Sequence, residues 1–140
     1  MADLEADNCG LKGARAKRLL GYIHQKKTGA LIEASLTASA MASGLGRSAI
    51  DRIRTYGRLL GVSFQIVDDI LDVEGDELTM GKTKSDERNM KLTFPSVYGL
   101  EYAKKTAFNM IEEAKLELDG FGKKALLLKD IADFVFYRNH

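Results

Sequence analysis

The sequence predicts an all-α protein, and three observations carry that reading. Apolar residues recur at three- and four-residue steps along most of the chain. No alternating apolar–polar stretch of useful strand length occurs, and a single proline, Pro95, punctuates 140 residues. The length suits one helical domain spanning residues 1–140. Hydrophobic residues make up 45% and charged residues 29%, an ordinary globular balance. A formal net charge of +1 gives no electrostatic footprint for nucleic acid or an acidic membrane. No run of about 18 apolar residues is present, so no membrane-spanning helix is predicted. The lone Cys9 cannot form an intrachain disulfide, and "MADLEADNCG" lacks the basic-then-apolar order of a signal peptide. A reducing, cytoplasmic location is expected.

A first amphipathic helix is predicted over about 14–27, with Leu19, Leu20 and Ile23 on one side and Arg15, Lys17 and Arg18 elsewhere. Gly29 is expected to loosen the chain before a second helix, "ALIEASLTASAMASG", whose small side chains predict close helix packing. "GLG" at 44–46 ends it. Ser48 is the predicted N-cap of a third helix running to about Val73. Its second half, "LLGVSFQIVDDILDV", is apolar on nearly every face, which predicts a central, buried helix. Residues 74–92 are polar and contain Gly75 and Gly81, so they are predicted as a mobile loop. Pro95 suits the first turn of a fourth helix, expected to continue to Gly120. A last helix, about 123–137, carries Leu126, Leu127, Ile131, Phe134 and Val135.

Within "FQIVDDILD" the third helix places three carboxylates close together. Asp68 and Asp72 are four apart and share a face, Gln65 lies one turn before Asp68, and Asp69 flanks them. At a helix end the macrodipole opposes each carboxylate, and like charges at this spacing repel. A bound cation reverses both penalties. Oxygen-only ligands suit Mg²⁺, which keeps waters and completes its shell with substrate phosphate. The competing reading is a solvated acidic helix end. Two features favour the metal: the flanking residues are very apolar, and the following segment turns basic with Lys82, Lys84, Arg88 and Lys91. Carboxylates beside lysines fit a diphosphate bridged to the protein by magnesium, lysine acting as a point charge. Each lysine taken singly also reads as an ordinary surface charge. Upstream, Lys27 and Thr28 precede Gly29 in "HQKKTGALI" and offer an ammonium, a hydroxyl and a backbone N–H to phosphate. His24 reads as a polar partner on a helix face, and no Ser/His/Asp or Cys/His arrangement and no P-loop is present.

These stretches resemble the trans-polyprenyl diphosphate synthases, the farnesyl and geranylgeranyl diphosphate synthase group. "FQIVDDILD" is similar to the family's second aspartate-rich motif, and "KTGALI" to its Lys-Thr diphosphate contact. "GDELTMGKTKSDERNMKLTFP" is similar to the segment after that motif, and "MADL" to the end of an earlier one. The resemblance implies the carboxy-terminal half of an all-α isoprenoid (terpenoid) synthase fold. It implies head-to-tail condensation of isopentenyl diphosphate with an allylic diphosphate, through a carbocation released when the allylic diphosphate departs. It further implies that Asp68, Asp69 and Asp72 hold Mg²⁺, and that Lys27, Thr28, Gln65, Lys82 and Lys91 contact the diphosphate. Lys27, Thr28 and Lys82 would stabilise the departing charge.

Members of the family run to about twice this length, and no second D-D-x-x-D cluster occurs in these 140 residues. The expectation is therefore a chain with one diphosphate site, inactive alone, forming a homo-oligomer or pairing with an upstream half. The alternative is a non-catalytic helical module that uses the family's packing surface to bind a partner.

Overall fold

The computed structural model describes residues 28–79 and 92–138 and, upstream, Gly13, Arg15, Arg18, Leu20 and Gly21. Among the described residues every regular element is helical. From Ala30 on, the described α-helices are α1 (Ala30–Ala42), α2 (Arg47–Thr79), α3 (Phe94–Tyr98), α4 (Leu100–Glu117) and α5 (Leu126–Tyr137), with a 3₁₀ stretch at Asp119–Ala125 between the last two. The five upstream residues are helical, with Leu20 buried and Arg15 and Arg18 exposed, as the amphipathic pattern predicts.

Several boundaries depart from the sequence reading, each for a local reason. Thr28 and Gly29 form a widened, π-type turn that leads directly into α1. The end of α1 is a Schellman motif: Gly44 adopts φ 69°, its N–H bonds the Met41 carbonyl, and the Leu45 N–H bonds the Ala40 carbonyl. Ser48 is not an N-cap. Helix α2 already includes Arg47, and the Ile50 N–H bonds the Gly46 carbonyl at 3.0 Å. At its other end α2 runs through Gly75 to Thr79, six residues past the expected stop at Val73. An ion pair between Glu74 and Lys104 of α4, at 2.6 Å, anchors this extension. The remainder of the expected loop, 80–91, lies outside the described residues.

The predicted helix from Pro95 to Gly120 is two helices. Thr93 and Ser96 form a capping box around the short α3, with Pro95 in its first turn. Gly99 then breaks the chain at φ 90°, ψ 150°, a conformation essentially reserved for glycine, before α4 begins. Another positive φ, 57° at Gly122, kinks the 3₁₀ stretch and delays the last helix to Leu126.

The long α2 packs against each of the other four helices, so its reading as the central helix holds. One core cluster joins Ile53, Tyr56 and Leu60 of α2 to Ala40, Ile111, Ala114, Leu118, Ala132 and Val135. A second joins Ile66, Val67 and Ile70 to Ala103 and Ala107. Tyr56 is fully buried and its hydroxyl donates to the Leu128 carbonyl at 2.7 Å. Burial pushes that phenol's pKa well up.

The closest helix approach is made by glycines rather than by the Ala/Ser run of α1, where Ala34, Ser35, Ala38 and Ser39 are exposed. A Cβ on Gly61 would lie 2.5 Å from the Gly29 Cα, and one on Gly57 3.0 Å from the Glu33 Cα. Gly57 and Gly61, one turn apart, thus let the start of α1 rest on the α2 backbone. Among the described residues no large apolar side chain of α2 is exposed. Exposed ones occur on α1 and α4 and are densest on α5, where Leu127 and Phe134 are 70% and 68% exposed beside Leu126, Ile131 and Tyr137.

Candidate diphosphate and metal site

Gly61, Gln65, Asp68 and Asp72 follow one another at i, i+4, i+7 and i+11, so they form a single stripe along α2. Because Gly29 sits against Gly61, the Thr28–Gly29 turn is held at one end of this stripe. The rise of a helix puts Asp68 about 10 Å farther along the axis and Asp72 one turn beyond it. Thr28 and Gln65 are both half-buried, while Asp72 is exposed. The structure therefore brings Thr28, Gln65, Asp68 and Asp72 to one side of the central helix, with Asp69 alongside. Lys27, Lys82 and Lys91, together with Lys84 and Arg88, lie outside the described residues.

The aspartates are not in the last turns of their helix, as the sequence reading expected. Two further turns, through Thr79, separate Asp72 from the helix end. The macrodipole acts mainly within the last turn, so it contributes little to repelling these carboxylates. Their environment differs from residue to residue instead. Asp68 forms an ion pair with Arg138, which follows α5. The same guanidinium donates to the Phe64 carbonyl at 3.3 Å and stacks over the Phe64 ring, 3.8 Å from its centroid. Asp69 turns to α3, where its Oδ2 accepts the Phe94 N–H at 2.6 Å. A carboxylate at a helix N-terminus is favoured by the orphan N–H groups there.

Among the described residues no three His, Cys, Asp or Glu side chains are gathered as a metal-holding cluster. The donor chemistry still fits a hard divalent ion: all three groups are carboxylates, and Asp68 already neutralises a cation. With Asp69 engaged by α3, the aspartates alone make a sparse shell. That suits an ion that keeps waters and takes oxygens from a bound phosphate.

Two contributors escaped the sequence reading. Arg138 lies 70 positions from Asp68 and carried no local signal beyond following the apolar pattern of α5. The Gly57/Gly61 pair, spaced four apart inside an apolar helix, was a readable signal for close helix approach.

Comparison with known proteins identifies the family. The sequence matches the model of the polyprenyl synthetase family over residues 4–125. It is 41% identical over 122 residues to the dimethylallyltranstransferase of Fischerella ambigua, covering 86% of this chain and 35% of that protein. It is 39% identical over 125 residues to the farnesyl diphosphate synthase of Escherichia coli, covering 86% of this chain and 42% of that protein. The crystal structure of an FPP/GFPP synthase from Zymomonas mobilis superposes with a TM-score of 0.66 at 35% identity, over 80% of this chain and 35% of that one. The matched segment thus spans between a third and a little over two fifths of these relatives' length. Its fold is the all-α isoprenoid synthase fold, and the chain belongs to the polyprenyl synthetase family.

Proposed function

We propose that this chain supplies the allylic diphosphate and Mg²⁺ portion of a polyprenyl diphosphate synthase site. The reaction is transfer of a prenyl group from an allylic diphosphate to isopentenyl diphosphate. The observation that carries the reading is the α2 stripe: the Thr28–Gly29 turn packed on Gly61, then Gln65, Asp68 and Asp72 in line. In this reading Asp68, Asp69 and Asp72 hold Mg²⁺, and Thr28 and Gln65 donate to the diphosphate. Lys27, Lys82 and Lys91 add positive charge to the departing diphosphate, and Lys27, Thr28 and Lys82 take the catalytic part in that stabilisation. Mg²⁺, when bound, supplies Lewis-acid stabilisation of the leaving group and a template for its orientation. Relatives with farnesyl and geranylgeranyl diphosphate synthase names support the substrate class.

Condensation also needs the isopentenyl diphosphate held against the allylic carbon, and that positioning supplies much of the rate. These 140 residues carry one aspartate-rich motif. The chain alone is therefore expected to give no product, and a chain paired with an upstream portion bearing a first aspartate-rich motif is expected to give one. Radiolabelled isopentenyl diphosphate with geranyl diphosphate, followed by extraction of product, tests this. Labelled product from the lone chain sinks the one-site reading.

A second reading rests on the open apolar face of α5. Leu127, Ile131 and Phe134 recur at helical spacing on its exposed side and form a seat for another helix. Self-association through this face would make a two-fold homo-oligomer. If the face serves only to bind a synthase partner, the chain is a non-catalytic interaction module. Uptake of diphosphate separates the two readings.

A further inference from the structure

We infer that Arg138 is a built-in counter-ion that holds Asp68 until a divalent cation takes its place, so that metal entry and release of the residue after α5 are one event. The inference rests on the proposed metal role of Asp68. Three observations carry it. The Arg138 side chain is only 15% exposed, and one terminal nitrogen serves both the Asp68 carboxylate and the Phe64 carbonyl. Its Nε is buried with no hydrogen-bond acceptor, so the guanidinium is only partly satisfied in its seat. Arg138 itself lies beyond the helix in extended backbone, φ −61° and ψ 139°, held by one capping bond from its N–H to the Phe134 carbonyl.

An arginine held this way neutralises the first aspartate of the motif while the site is empty of cations. A carboxylate that is half-exposed, as Asp68 is, stays reachable from solvent on its other side. A divalent ion on the second oxygen of Asp68 would lie close enough to the guanidinium for the two cations to repel each other. That repulsion loosens the guanidinium, which gives up one hydrogen bond to the Phe64 carbonyl and its stacking on the Phe64 ring as it leaves, while its Nε has no acceptor to lose.

The test is binding of Mn²⁺ alone, followed by electron paramagnetic resonance of the free ion, since no phosphate then confuses the role of the arginine. Arg138→Gln is expected to bind Mn²⁺ about tenfold more tightly than the parent chain, the gain expected from removing a competing charge. Arg138→Lys, which keeps the charge, is expected to stay within about twofold of the parent. In the double variant Asp68→Asn/Arg138→Gln the gain disappears. Thermal melting with and without Mn²⁺ gives a second readout, with the larger ion-induced rise expected for Arg138→Gln. Unchanged or weaker Mn²⁺ binding by Arg138→Gln overturns the inference. In that case, uptake of Mg²⁺ with pyrophosphate by the parent chain leaves the diphosphate reading standing. If neither the parent nor Arg138→Gln takes up metal, with or without pyrophosphate, both fall.

Discussion

At the scale of single residues, the fold depends on a few positions where one atom decides the packing. Gly61 is the sharpest case. Its missing side chain lets the Gly29 backbone lie against α2, and a Cβ at 2.5 Å has backbone rather than a flexible side chain to displace. Gly61→Ala is expected to cost about 1–3 kcal/mol, the usual range for overpacking. Gly57→Ala, with 3.0 Å to the Glu33 Cα, should cost less. Urea denaturation of the two variants checks both the size and the order. Because Gly29 neighbours Thr28, the Gly61 variant should also weaken pyrophosphate binding. Lys115 shows a residue-scale dependence on pH. Its ammonium bonds Asp133 of α5 at 2.8 Å and Glu112 at 2.6 Å, and these bonds raise its pKa above the ordinary lysine value. A raised lysine stabilises the fold fully below its unfolded pKa and loses that effect as pH climbs through the folded one. Lys115→Met should therefore be less stable than the parent by about 0.5 kcal/mol near neutrality, with the gap closing in strongly alkaline buffer. A gap that widens with rising pH contradicts the assignment.

At the scale of elements, Gly99 separates α3 from α4 in a backbone conformation that L-residues avoid. Gly99→Ala is expected to cost about 1–3 kcal/mol by thermal melting. If the two segments instead fused into one helix without loss, the break would be incidental. The α3 start also bears on the site, since its first N–H holds Asp69. This element shows what the sequence did and did not make legible. The helices were readable because their apolar spacing and terminal signals are local: the glycine after α1, Pro95 opening α3, and the all-round apolar run of α2. The break at Gly99 and the kink at Gly122 were harder, because a glycine in a helical pattern is often simply tolerated. Gly75 is such a case, lying inside α2 although it was read as part of a loop. The stripe of Gln65, Asp68 and Asp72 was legible from spacing alone. The split of Asp68 towards Arg138 and Asp69 towards Phe94 was not, since both partners come from other elements. The macrodipole does little at Asp72 because α2 continues to Thr79.

At the scale of the whole molecule, α2 packs against the other described helices, and exposed apolar side chains are densest on α5. Static light scattering should report a dimer or larger assembly, and Phe134→Asp should return it to a monomer of 15.5 kDa. A parent chain that is already monomeric removes the α5 face from the account. The central claim, though, is that the α2 stripe binds Mg²⁺ together with a diphosphate. Titration calorimetry with pyrophosphate and Mg²⁺ tests it most directly. The account predicts uptake that needs both components, weak binding of Mg²⁺ by itself, and loss of most of the heat in Asp68→Ala. Equal uptake by Asp68→Ala and the parent chain would contradict it.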